Sequence, residues 1–388
     1  MSNKARIVGW SHIAFGKLVD PDTEALMARV SLDALRHAGI GSEAVDGIYV
    51  GVSNNGFQKQ DFHAGLVALA DERLAHTPAT RLENACATGS AALYAAVDFV
   101  ESGRGRIALV IGAEKMTSRS NAEIGDILLG ASYRKEEAGT PGGFAGVFAK
   151  ITQAYFERYG DHSEDLALIA AKNHRNGVDN PYAQLRKDLG EEFCRSVSDK
   201  NPMVADPLRR TDCSPVSDGA AAVVLSVSPT AGATAPVRLA GFGQANDFFP
   251  ADRRDPTAFS ATRASWQRAL GMAGVGLEEL DFAEVHDCFT IAELLMYEAM
   301  GLTEPGHGAR AVEEGWVFKD GKLPINVSGG LKAKGHPVGA IGVSQHVIAA
   351  MQLTGTAGAM QLANPRRAAV QNMGGVGIAN YVSVLEAV

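Results

Sequence analysis

The pattern of hydrophobic and polar positions repeats along this chain. A predicted helix end, a glycine-containing turn and an apolar strand follow one another at residues 37–50 (HAGIGSEAVDGIYV) and again at residues 272–285 (MAGVGLEELDFAEV). Five Ala, Gly, Glu and Asp residues recur in step between the two segments. Glycine often ends a helix, and a short apolar run after a turn is typical of a buried strand. The repeat therefore predicts two similar halves.

The similarity continues further along each half. The matching elements are a helix that opens with small residues (89–103 and 339–355), an apolar strand after it (from Arg106 and from Arg367) and a last strand (from Ala220 and from Ala379). Helices that alternate with strands are typical of α/β proteins whose sheets are mostly parallel. We therefore predict an α/β fold built by duplication.

The segment from Met116 to about Asp206 has no counterpart in the second half. It is rich in charged, glycine and aromatic residues, and helical spacing is visible at residues 146–160 and 163–177. Long insertions of this kind commonly line active sites. The predicted domains are an N-terminal half (1–115 and 206–232), an inserted subdomain (116–205) and a C-terminal half (233–388).

Composition and charge exclude several classes of protein. With 388 residues, 46% hydrophobic and 21% charged, the chain is typical of an ordered globular protein. The net charge of -8 argues against a general nucleic-acid or anionic-membrane surface, because both need a basic face. The first residues lack a continuous apolar segment, and no run reaches the length of a membrane helix. We expect a cytoplasmic protein that binds neither nucleic acid nor membrane.

The four cysteines are scattered, without a CxxC pair, which argues against a disulfide framework, a zinc ribbon or a dithiol redox site, and we expect no metal site. Cys86 directly precedes a predicted helix that ends at Gly103. Free N–H groups and the positive dipole end at a helix N-terminus favour a thiolate, so Cys86 is a candidate nucleophile. The alternative is a buried cysteine that packs as a small apolar residue. Cys194 and Cys213 are predicted to be structural in this way.

His336 lies in a glycine-dense loop, between Gly335 and Pro337, just before a predicted helix. A neutral histidine held rigidly in this way can deprotonate a thiol, whereas the alternative is a histidine that only occupies a turn. In the repeat, Cys86 and His336 precede the same helix of their respective halves. We therefore expect the two helix starts to meet at the boundary between the halves, where ligand sites are common.

Four motifs resemble those of the thiolase superfamily over essentially the whole chain. They are NACATGSAAL around Cys86, DCSPVSDGAAAVVLS from Asp212, NVSGGLKAKGHPVGAIG around His336 and NMGGVGIAN from Asn372. Most thiolases carry Asn-Glu-Ala-Phe where this chain has HDCF, and a cysteine where it has Gln371. Both departures are similar to the sterol-carrier-protein type of thiolase. The resemblance implies two five-stranded mixed-sheet halves in a five-layer αβαβα core, with an inserted loop subdomain.

The resemblance also implies roles for individual residues. Cys86 would be the nucleophile, His336 its base and Cys288 the acid/base that moves the α-proton. His286 would hold a water of an oxyanion hole, and Asp287 would orient its neighbours.

A second oxyanion hole would consist of the backbone N–H groups of Cys86 and Met373, although the family has glycine or a small apolar residue at the latter position. The pantetheine arm of coenzyme A would lie near Ser328, Gly329 and Gly330, with further contacts from basic residues of the insertion. Lys332 and Lys334 flank this stretch, and a solvated face is at least as good an explanation for them.

The implied function is reversible thiolytic cleavage or Claisen condensation of 3-ketoacyl-CoA, with coenzyme A as co-substrate and no tightly bound cofactor. Alternatives on the same fold are a ketoacyl synthase, a retro-aldolase, or a scaffold subunit that works with an OB-fold partner carrying a zinc ribbon. The resemblance also implies a homodimer or a dimer of dimers, with the sheet edge of the first half at the interface.

Overall fold

The computed structural model of the protein describes residues 4–19, 21–228 and 236–388. The first elements are β1 (Arg6–His12), α1 (Thr23–Ala38), β2 (Gly47–Gly51), β3 (Ala79–Leu82), α2 (Thr88–Glu101) and β4 (Ile107–Glu114). Next come α3 (Asn121–Leu128), α4 (Arg134–Glu137), α5 (Gly143–Tyr159), α6 (Ser163–Val178), α7 (Glu191–Arg195), β5 (Met203–Ala205), β6 (Leu208–Arg209) and β7 (Gly219–Ser226). The last elements are β8 (Val237–Asn246), α8 (Ser260–Ala273), β9 (Phe282–Glu284), α9 (Thr290–Ala299), α10 (Ala309–Glu313), α11 (Gly330–Lys334), α12 (Ile341–Leu353), β10 (Arg367–Gly374) and β11 (Ala379–Ala387).

The strands form one nine-stranded sheet in the order β3-β2-β4-β7-β1-β8-β11-β10-β9. This order is symmetric about the β1–β8 pair, because β7, β4 and β2 correspond to β11, β10 and β9. The two halves are therefore joined through their first strands. The duplicated α/β fold that the sequence predicts is confirmed.

The expectation of mostly parallel sheets is wrong in detail. The pairs β2–β3, β2–β4 and β9–β10 are parallel, whereas β7 and β11 run antiparallel to their neighbours. For β11 the reason is the connection: a helix that crosses over returns the chain in parallel, but only the four residues 375–378 join β10 to β11, which forces a hairpin. β7 has the equivalent position in the first half and pairs in the same way, although the long segment 115–218 precedes it. The sheet is mixed, as the family resemblance implies.

The repeated sequence segments have the same local structure. α1 and α8 each end at a glycine in the left-handed conformation, Gly39 (φ 66) and Gly274 (φ 71), and a short 3-10 turn then leads into β2 or β9. Asp46 accepts hydrogen bonds from the backbone N–H groups of residues 106 and 107, and Asp281 accepts them from residues 366 and 367. The recurring aspartate therefore ties a turn to the next strand in both halves.

The second half differs in having four strands instead of five. The position of β3 is taken by Ile325, which makes only an isolated parallel bridge with Ala283 of β9. β3 forms the free edge of the first half, and β9 with this bridge lies at the other end of the sheet.

Helices separate the strands into layers. α1 packs on β1, β4 and β7, and α8 packs on β8 and β11. α2 and α12 lie between the halves, because α12 contacts β7 and β4 on one side and β10 on the other. The result is the five-layer arrangement that the resemblance implies. Every residue of α12 is buried, as expected for a helix with sheets on both sides.

The segment between β4 and β7 packs beside this core and adds no strand to the nine-stranded sheet; its two short strands, β5 and β6, pair only with each other. The helices predicted at 146–160 and 163–177 are confirmed as α5 and α6. The exact domain boundaries given above stay a prediction. Among the described helices, none combines the length and the apolar character that spanning a bilayer requires.

Candidate active site

The N-terminal ends of α2 and α12 meet at two glycines. A side chain on Gly89 would lie 2.8 Å from the backbone N of Val343, and one on Gly342 would lie 2.4 Å from the backbone N of Ser90. Only glycine lets the two helices approach so closely. This contact brings the turn that carries Cys86 next to the turn that carries His336, as the repeat predicts.

Cys86, His286 and His336 form a compact cluster at this junction. The Cys86 sulfur and one ring nitrogen of each histidine all lie within 4.8 Å of one another. The two imidazole rings are 5.0 Å apart between centroids and nearly perpendicular, at 81°. Cys86 is 200 positions from His286 in the sequence, and His286 is 50 positions from His336, yet the three side chains converge on one point.

The Cys86 thiol is neutral in this site, contrary to the expectation of a thiolate. α2 begins at Thr88, so Cys86 lies two residues before the helix rather than within its first turn. Burial raises the pKa of Cys86 to about 12, and this outweighs the hydrogen bonds that the backbone N–H groups of Gly375 and Cys86 itself offer to the sulfur. The preceding residue, Ala85, adopts φ 50, a left-handed conformation that is strained for alanine. Activation of this thiol therefore needs a base.

His336 is held in place beside the Cys86 thiol. Its backbone N–H donates to Ser217 Oγ (3.0 Å), and its Nδ1 hydrogen-bonds Ser214 Oγ (3.2 Å). Burial lowers the pKa of His336 to about 3, so the ring is neutral around pH 7. Its Nε2 is buried and has no hydrogen-bond partner among the described residues. A neutral imidazole with one free nitrogen can accept a proton.

The tautomer of His286 follows from a chain of hydrogen bonds. Asn372 Nδ2 lies 3.1 Å from the carbonyl oxygen of Cys86, which can only accept, so this atom must be the amide nitrogen. The same nitrogen lies 3.0 Å from His286 Nδ1 and donates to it. His286 therefore carries its proton on Nε2, because burial lowers the pKa of this histidine well below 6.5 and keeps the ring neutral. That N–H is buried and finds no acceptor within the described part of the chain.

Cys288 lies on the same cavity wall as Cys86 and His336. Burial raises the pKa of Cys288 well above 9, and a charge on Cys86 raises it further, so the two sulfurs are close enough to interact. Its neighbour Asp287 accepts hydrogen bonds from the backbone N–H groups of Leu331 (2.6 Å) and Lys332 (3.2 Å). The side chain of Asp287 thus holds the start of α11.

A cavity of about 1010 Å³ opens onto this cluster. One region of its lining is apolar and consists of Met116, Ile124, Leu128, Phe144, Phe289 and Val338. Another region carries the exposed cations Arg186, Lys187, Lys200 and Arg210, which come from or border the inserted segment. The cavity can therefore take a ligand with an apolar part and an anionic part.

Three residues predicted to bind coenzyme A are not brought to this cavity. Ser328 hydrogen-bonds the buried Glu284 through both its backbone N–H and its hydroxyl. A side chain on Gly329 would meet Gly177, and one on Gly330 would meet Asp287 at 2.2 Å. The glycines of this loop are needed for close packing of the protein itself. A direct contact of Ser328, Gly329 and Gly330 with a ligand is therefore not supported.

Lys332, Lys334 and Met373 are also buried. Lys332 and Lys334 are 2% and 0% exposed, so the prediction of a solvated face is wrong. Met373 lies in β10 with a fully buried side chain, and the backbone group directed at the Cys86 sulfur is that of Gly375. The part of Met373 in an oxyanion hole stays a prediction.

Asn372, Ser214 and Gly375 belong to the site but were not among the predicted residues. Asn372 and Gly375 belong to the NMGGVGIAN motif and Ser214 to DCSPVSDG. The motifs therefore indicate these parts of the chain, but they do not indicate which of their residues contact Cys86, His286 or His336.

The Cys86–His286–His336 cluster has the donor types of a zinc site and could hold such an ion.

Comparisons with known proteins agree with these observations. Residues 5–228 match the family model "Thiolase, N-terminal domain", and residues 244–387 match "Thiolase C-terminal domain-like". An acetyl-CoA acetyltransferase of Methanothermobacter thermautotrophicus is 37% identical over 375 residues, which cover 96% of each chain. Sterol carrier protein 2 of Gallus gallus is 30% identical over 96% of this chain and 70% of its own length.

Among solved structures, one described as "Ltp2-ChsH2(DUF35) aldolase" superimposes with a TM-score of 0.81. It covers 99% of this chain and 98% of the other, at 20% sequence identity. At that identity the likeness concerns the fold alone.

Proposed function

This chain belongs to the thiolase superfamily, and we propose that it is a thiolase that cleaves or forms 3-ketoacyl-CoA through an acyl group carried on Cys86. The observation that carries the proposal is the meeting of the Cys86 sulfur with free nitrogens of two neutral histidines, beside a second buried thiol, at a cavity with apolar and cationic regions. Acyl transfer between thioesters needs a sulfur nucleophile, a base and a second proton carrier.

In the first half-reaction Cys86 attacks the ketone carbon, C3, and its proton moves to Nε2 of His336. Because burial keeps both groups neutral, the proton transfer accompanies the attack rather than preceding it. The C2–C3 bond then breaks, its electron pair stays on the enolate of the departing acyl-CoA, and the Cys288 thiol protonates C2. Cys86 is left as a thioester, Cys288 as a thiolate and His336 as an imidazolium.

In the second half-reaction the Cys288 thiolate takes the proton of the coenzyme A thiol. The new thiolate attacks the acyl group, the bond to Cys86 breaks, and His336 returns its proton to the Cys86 sulfur. All groups regain their starting states. Coenzyme A thus enters as co-substrate, and these steps call on no other cofactor.

Two oxygen atoms become negatively charged in this scheme, and each has its own set of hydrogen-bond donors. The Nε2–H of His286, alone or through a water, and the protonated His336 serve the enolate oxygen. The backbone N–H groups of Cys86 and Gly375, both directed at the sulfur, serve the oxygen of the acyl group on Cys86. Loss of one such donor typically slows acyl transfer by about 10²–10³.

The acyl chain fits the apolar region that packs around Cys86, and the phosphates of coenzyme A fit the exposed cations of the rim. Arg186, Lys187, Lys200 and Arg210 are the candidates, which narrows the earlier expectation of unspecified basic residues in the insertion. The cations lie in an otherwise acidic protein, which gives the rim local electrostatic complementarity to an anionic ligand.

A retro-aldolase or a ketoacyl synthase on this fold is less well supported, because the chain keeps both thiols together with both histidines. A small partner protein with an OB-fold and a zinc ribbon, and assembly into a homodimer or dimer of dimers, remain predictions. Co-purification from the native host and the mass of the complex in solution test them.

The proposal is tested by incubating the protein with acetoacetyl-CoA and coenzyme A. We expect acetyl-CoA as product and an acetyl mass on the peptide that contains Cys86. Cys86→Ser loses both, whereas Cys194→Ser, a buried cysteine away from the cavity, keeps both. Carbon–carbon cleavage without any label on Cys86 contradicts acyl transfer through this thiol. Cleavage of a 3-hydroxyacyl-CoA to an aldehyde or ketone and an acyl-CoA, without cleavage of acetoacetyl-CoA, would indicate an aldolase instead, and absence of any turnover contradicts the enzyme.

A further inference from the structure

Lys332 is a buried lysine whose ammonium group forms no ion pair with any described residue. Four of the described lysines are buried. Lys115 lies 2.8 Å from Asp218, and Lys172 lies 2.8 Å from Glu293 and donates to a carbonyl. Lys334 has no side-chain partner among the described residues either, but it does not line the cavity. Lys332 lines the cavity at 2% exposure, and within the described residues its ammonium group makes neither a hydrogen bond nor an ion pair. Keeping a charge there without a partner is costly, which points to a partner that the protein itself does not supply.

The acidic residues nearest to Lys332 are bound elsewhere. Asp212 is paired with Arg209 (2.8 Å) and accepts a hydrogen bond from Thr290 (2.9 Å). Asp287 is occupied by the backbone of α11 and by Asn173 Nδ2 (2.8 Å). Both carboxylates act on Lys332 only at a distance. The ammonium group therefore remains available on the cavity side.

His174 stands beside Lys332 with unused hydrogen-bonding capacity. It also lines the cavity, is 2% exposed, and has no hydrogen-bond partner in the described residues for either ring nitrogen. Burial and the charge of Lys332 lower the pKa of His174 to about 3, so the ring is neutral. A neutral imidazole can donate one N–H to an anion that pairs with the neighbouring ammonium group.

This pair lies on the Cys288 side of the site. The charge of Lys332 acts on Cys213, and Cys213 forms a bridge with Phe289, the residue after Cys288. Ser214, the residue after Cys213, donates its N–H to the carbonyl of Cys288 (2.9 Å). Cys288 and Phe289 pack in the large apolar cluster with Phe144, whereas Cys86 packs in a separate one with Phe57, Met116, Ile124 and Val338. The two thiols therefore border different parts of one cavity, and Lys332 and His174 adjoin the part next to Cys288.

We propose that Lys332 and His174 form a subsite for a carboxylate attached through a short side chain to C2 of the 3-ketoacyl thioester. The inference rests on the proposed thiolase function, in which C2 is the carbon next to Cys288. The apolar region then holds the acyl group transferred to Cys86, and the cationic subsite holds the half that departs. Thiolysis of such a substrate yields the shortened acyl-CoA and the coenzyme A ester of a dicarboxylic acid.

Coenzyme A itself is a less suitable occupant. Its phosphates lie beyond the neutral pantetheine arm and can reach the exposed cations of the rim, while Lys332 is deep in the wall. If Lys332 contacted the pantetheine amides, it would contribute equally to the binding of every acyl-CoA substrate. If Lys332 binds a carboxylate on C2, it contributes only to substrates that carry this carboxylate, so kinetics can distinguish the two cases.

The test compares three substrates in thiolysis by the wild-type protein and by Lys332→Met. They are acetoacetyl-CoA, 2-(carboxymethyl)acetoacetyl-CoA and its neutral counterpart of similar shape, 2-isobutylacetoacetyl-CoA. In the wild type, kcat/KM for the carboxylate should exceed that for the isobutyl compound. In Lys332→Met it should fall roughly 10- to 100-fold, the range for a lost hydrogen bond to a charged group, while acetoacetyl-CoA changes less than about 3-fold.

Other outcomes overturn the inference. An equal loss of kcat/KM for all three substrates would show that Lys332 contacts the coenzyme A portion they share. An unchanged kcat/KM for the carboxylate substrate would show that Lys332 does not bind the carboxylate. A wild type that cleaves acetoacetyl-CoA but not the carboxylate also overturns it and leaves the thiolase function standing. Failure with acetoacetyl-CoA itself contradicts the proposed function instead.

Two further variants guard against a folding defect. Lys332→Arg keeps the positive charge and should retain the preference for the carboxylate substrate. If Lys332→Met does not fold, as judged by circular dichroism and thermal melting, His174→Gln is compared in its place. It should lower kcat/KM for the carboxylate substrate several-fold relative to acetoacetyl-CoA, and an equal effect on both contradicts the subsite.

Discussion

Asn372 donates a hydrogen bond of 3.0 Å to Nδ1 of His286, and this contact decides which ring nitrogen keeps the proton. The orientation of Asn372 is itself fixed, because its amide nitrogen also donates to the Cys86 carbonyl and its oxygen accepts from Ser90 (2.8 Å). Asn372 is therefore a positioning residue: it keeps the proton of His286 on Nε2, in the cluster that this histidine forms with Cys86 and His336.

Replacing Asn372 by Asp should reverse this arrangement. A carboxylate cannot donate to His286 Nδ1, so the ring would donate from Nδ1 instead and lose the proton on Nε2. We expect kcat to fall by about 10²–10³, the usual effect of removing one oxyanion donor, with a smaller change in KM.

The direct measurement is ¹⁵N NMR of histidine-labelled wild-type protein, which should show a proton on Nε2 of His286 and none on Nδ1. Ser90→Ala, which removes only the hydrogen bond to Asn372 Oδ1, serves as the control and should cost less than about 10-fold in kcat. Detection of the Nδ1–H tautomer in the wild type would contradict the assignment of the proton to Nε2 of His286.

Removing cations from the rim should weaken binding of coenzyme A. Exposed charge pairs are typically worth 0.2–1 kcal/mol, so Lys187→Gln and Lys200→Gln should each raise KM for coenzyme A by about 1.5- to 5-fold, with kcat unchanged. The difference from wild type should shrink at high ionic strength because salt screens exposed charges. Steady-state kinetics at two salt concentrations measures it, with Lys135→Gln, an exposed cation away from the cavity, as control. An equal effect of Lys135→Gln would show that only overall charge matters.

Gly330→Ala should destabilise the protein strongly. The new methyl group would lie 2.2 Å from Asp287 Oδ2, and the backbone at φ +57 is unfavourable for alanine. Overpacking typically costs about 1–3 kcal/mol and a left-handed residue about 1–2 kcal/mol. Gly355→Ala isolates the backbone effect, because Gly355 has φ +71 and nothing within 4 Å of the added carbon. Urea denaturation should therefore give a larger loss for Gly330→Ala; equal losses would contradict the packing role of Gly330.

Burial of His346 should make stability depend on pH in a measurable way. Its Nδ1 bonds the Gly342 carbonyl (2.7 Å) and its Nε2 bonds Ser383 Oγ (2.9 Å), while burial lowers the pKa of His346 to about 4. Between pH 6.5 and pH 4 the unfolded chain binds a proton at this residue and the folded protein does not. The stability that His346 contributes is therefore present above pH 6.5 and is lost as the pH falls.

The comparison with His346→Gln isolates this residue from other titrating groups. The free energy of unfolding of the wild type, minus that of the variant, should fall by about 1.4 kcal/mol for each pH unit below 6.5. Denaturant titrations at pH 7, 6 and 5 measure it. A difference that stays constant over this range would show that His346 titrates alike in both states.

The fold could be predicted from the sequence because the same pattern of elements occurs in both halves of the chain. The glycines that end α1 and α8, and the aspartates that tie a turn to the next strand, recur at matching positions and have the same geometry. The antiparallel pairing of β7 and β11 was missed from the pattern of helices and strands, because hydrophobic periodicity does not state the direction of a neighbouring strand.

The site was predicted less completely, for physical reasons. Cys86, His286, Cys288 and His336 stand in recognisable motifs and are brought together. The charge state of Cys86 was predicted wrongly, because proximity to a helix is visible in a sequence while the extent of desolvation is not. The same holds for Lys332 and Lys334, whose burial depends on the packing of the insertion against α11.

The helix α12 has an implication for how the chain can be divided. All thirteen of its residues are buried, with one face against strands of each half, so neither half alone can cover this helix. A separate half would therefore expose a large apolar surface to water. For the same reason, fragments split between Ser228 and Pro236 are expected to be soluble only when both are produced together.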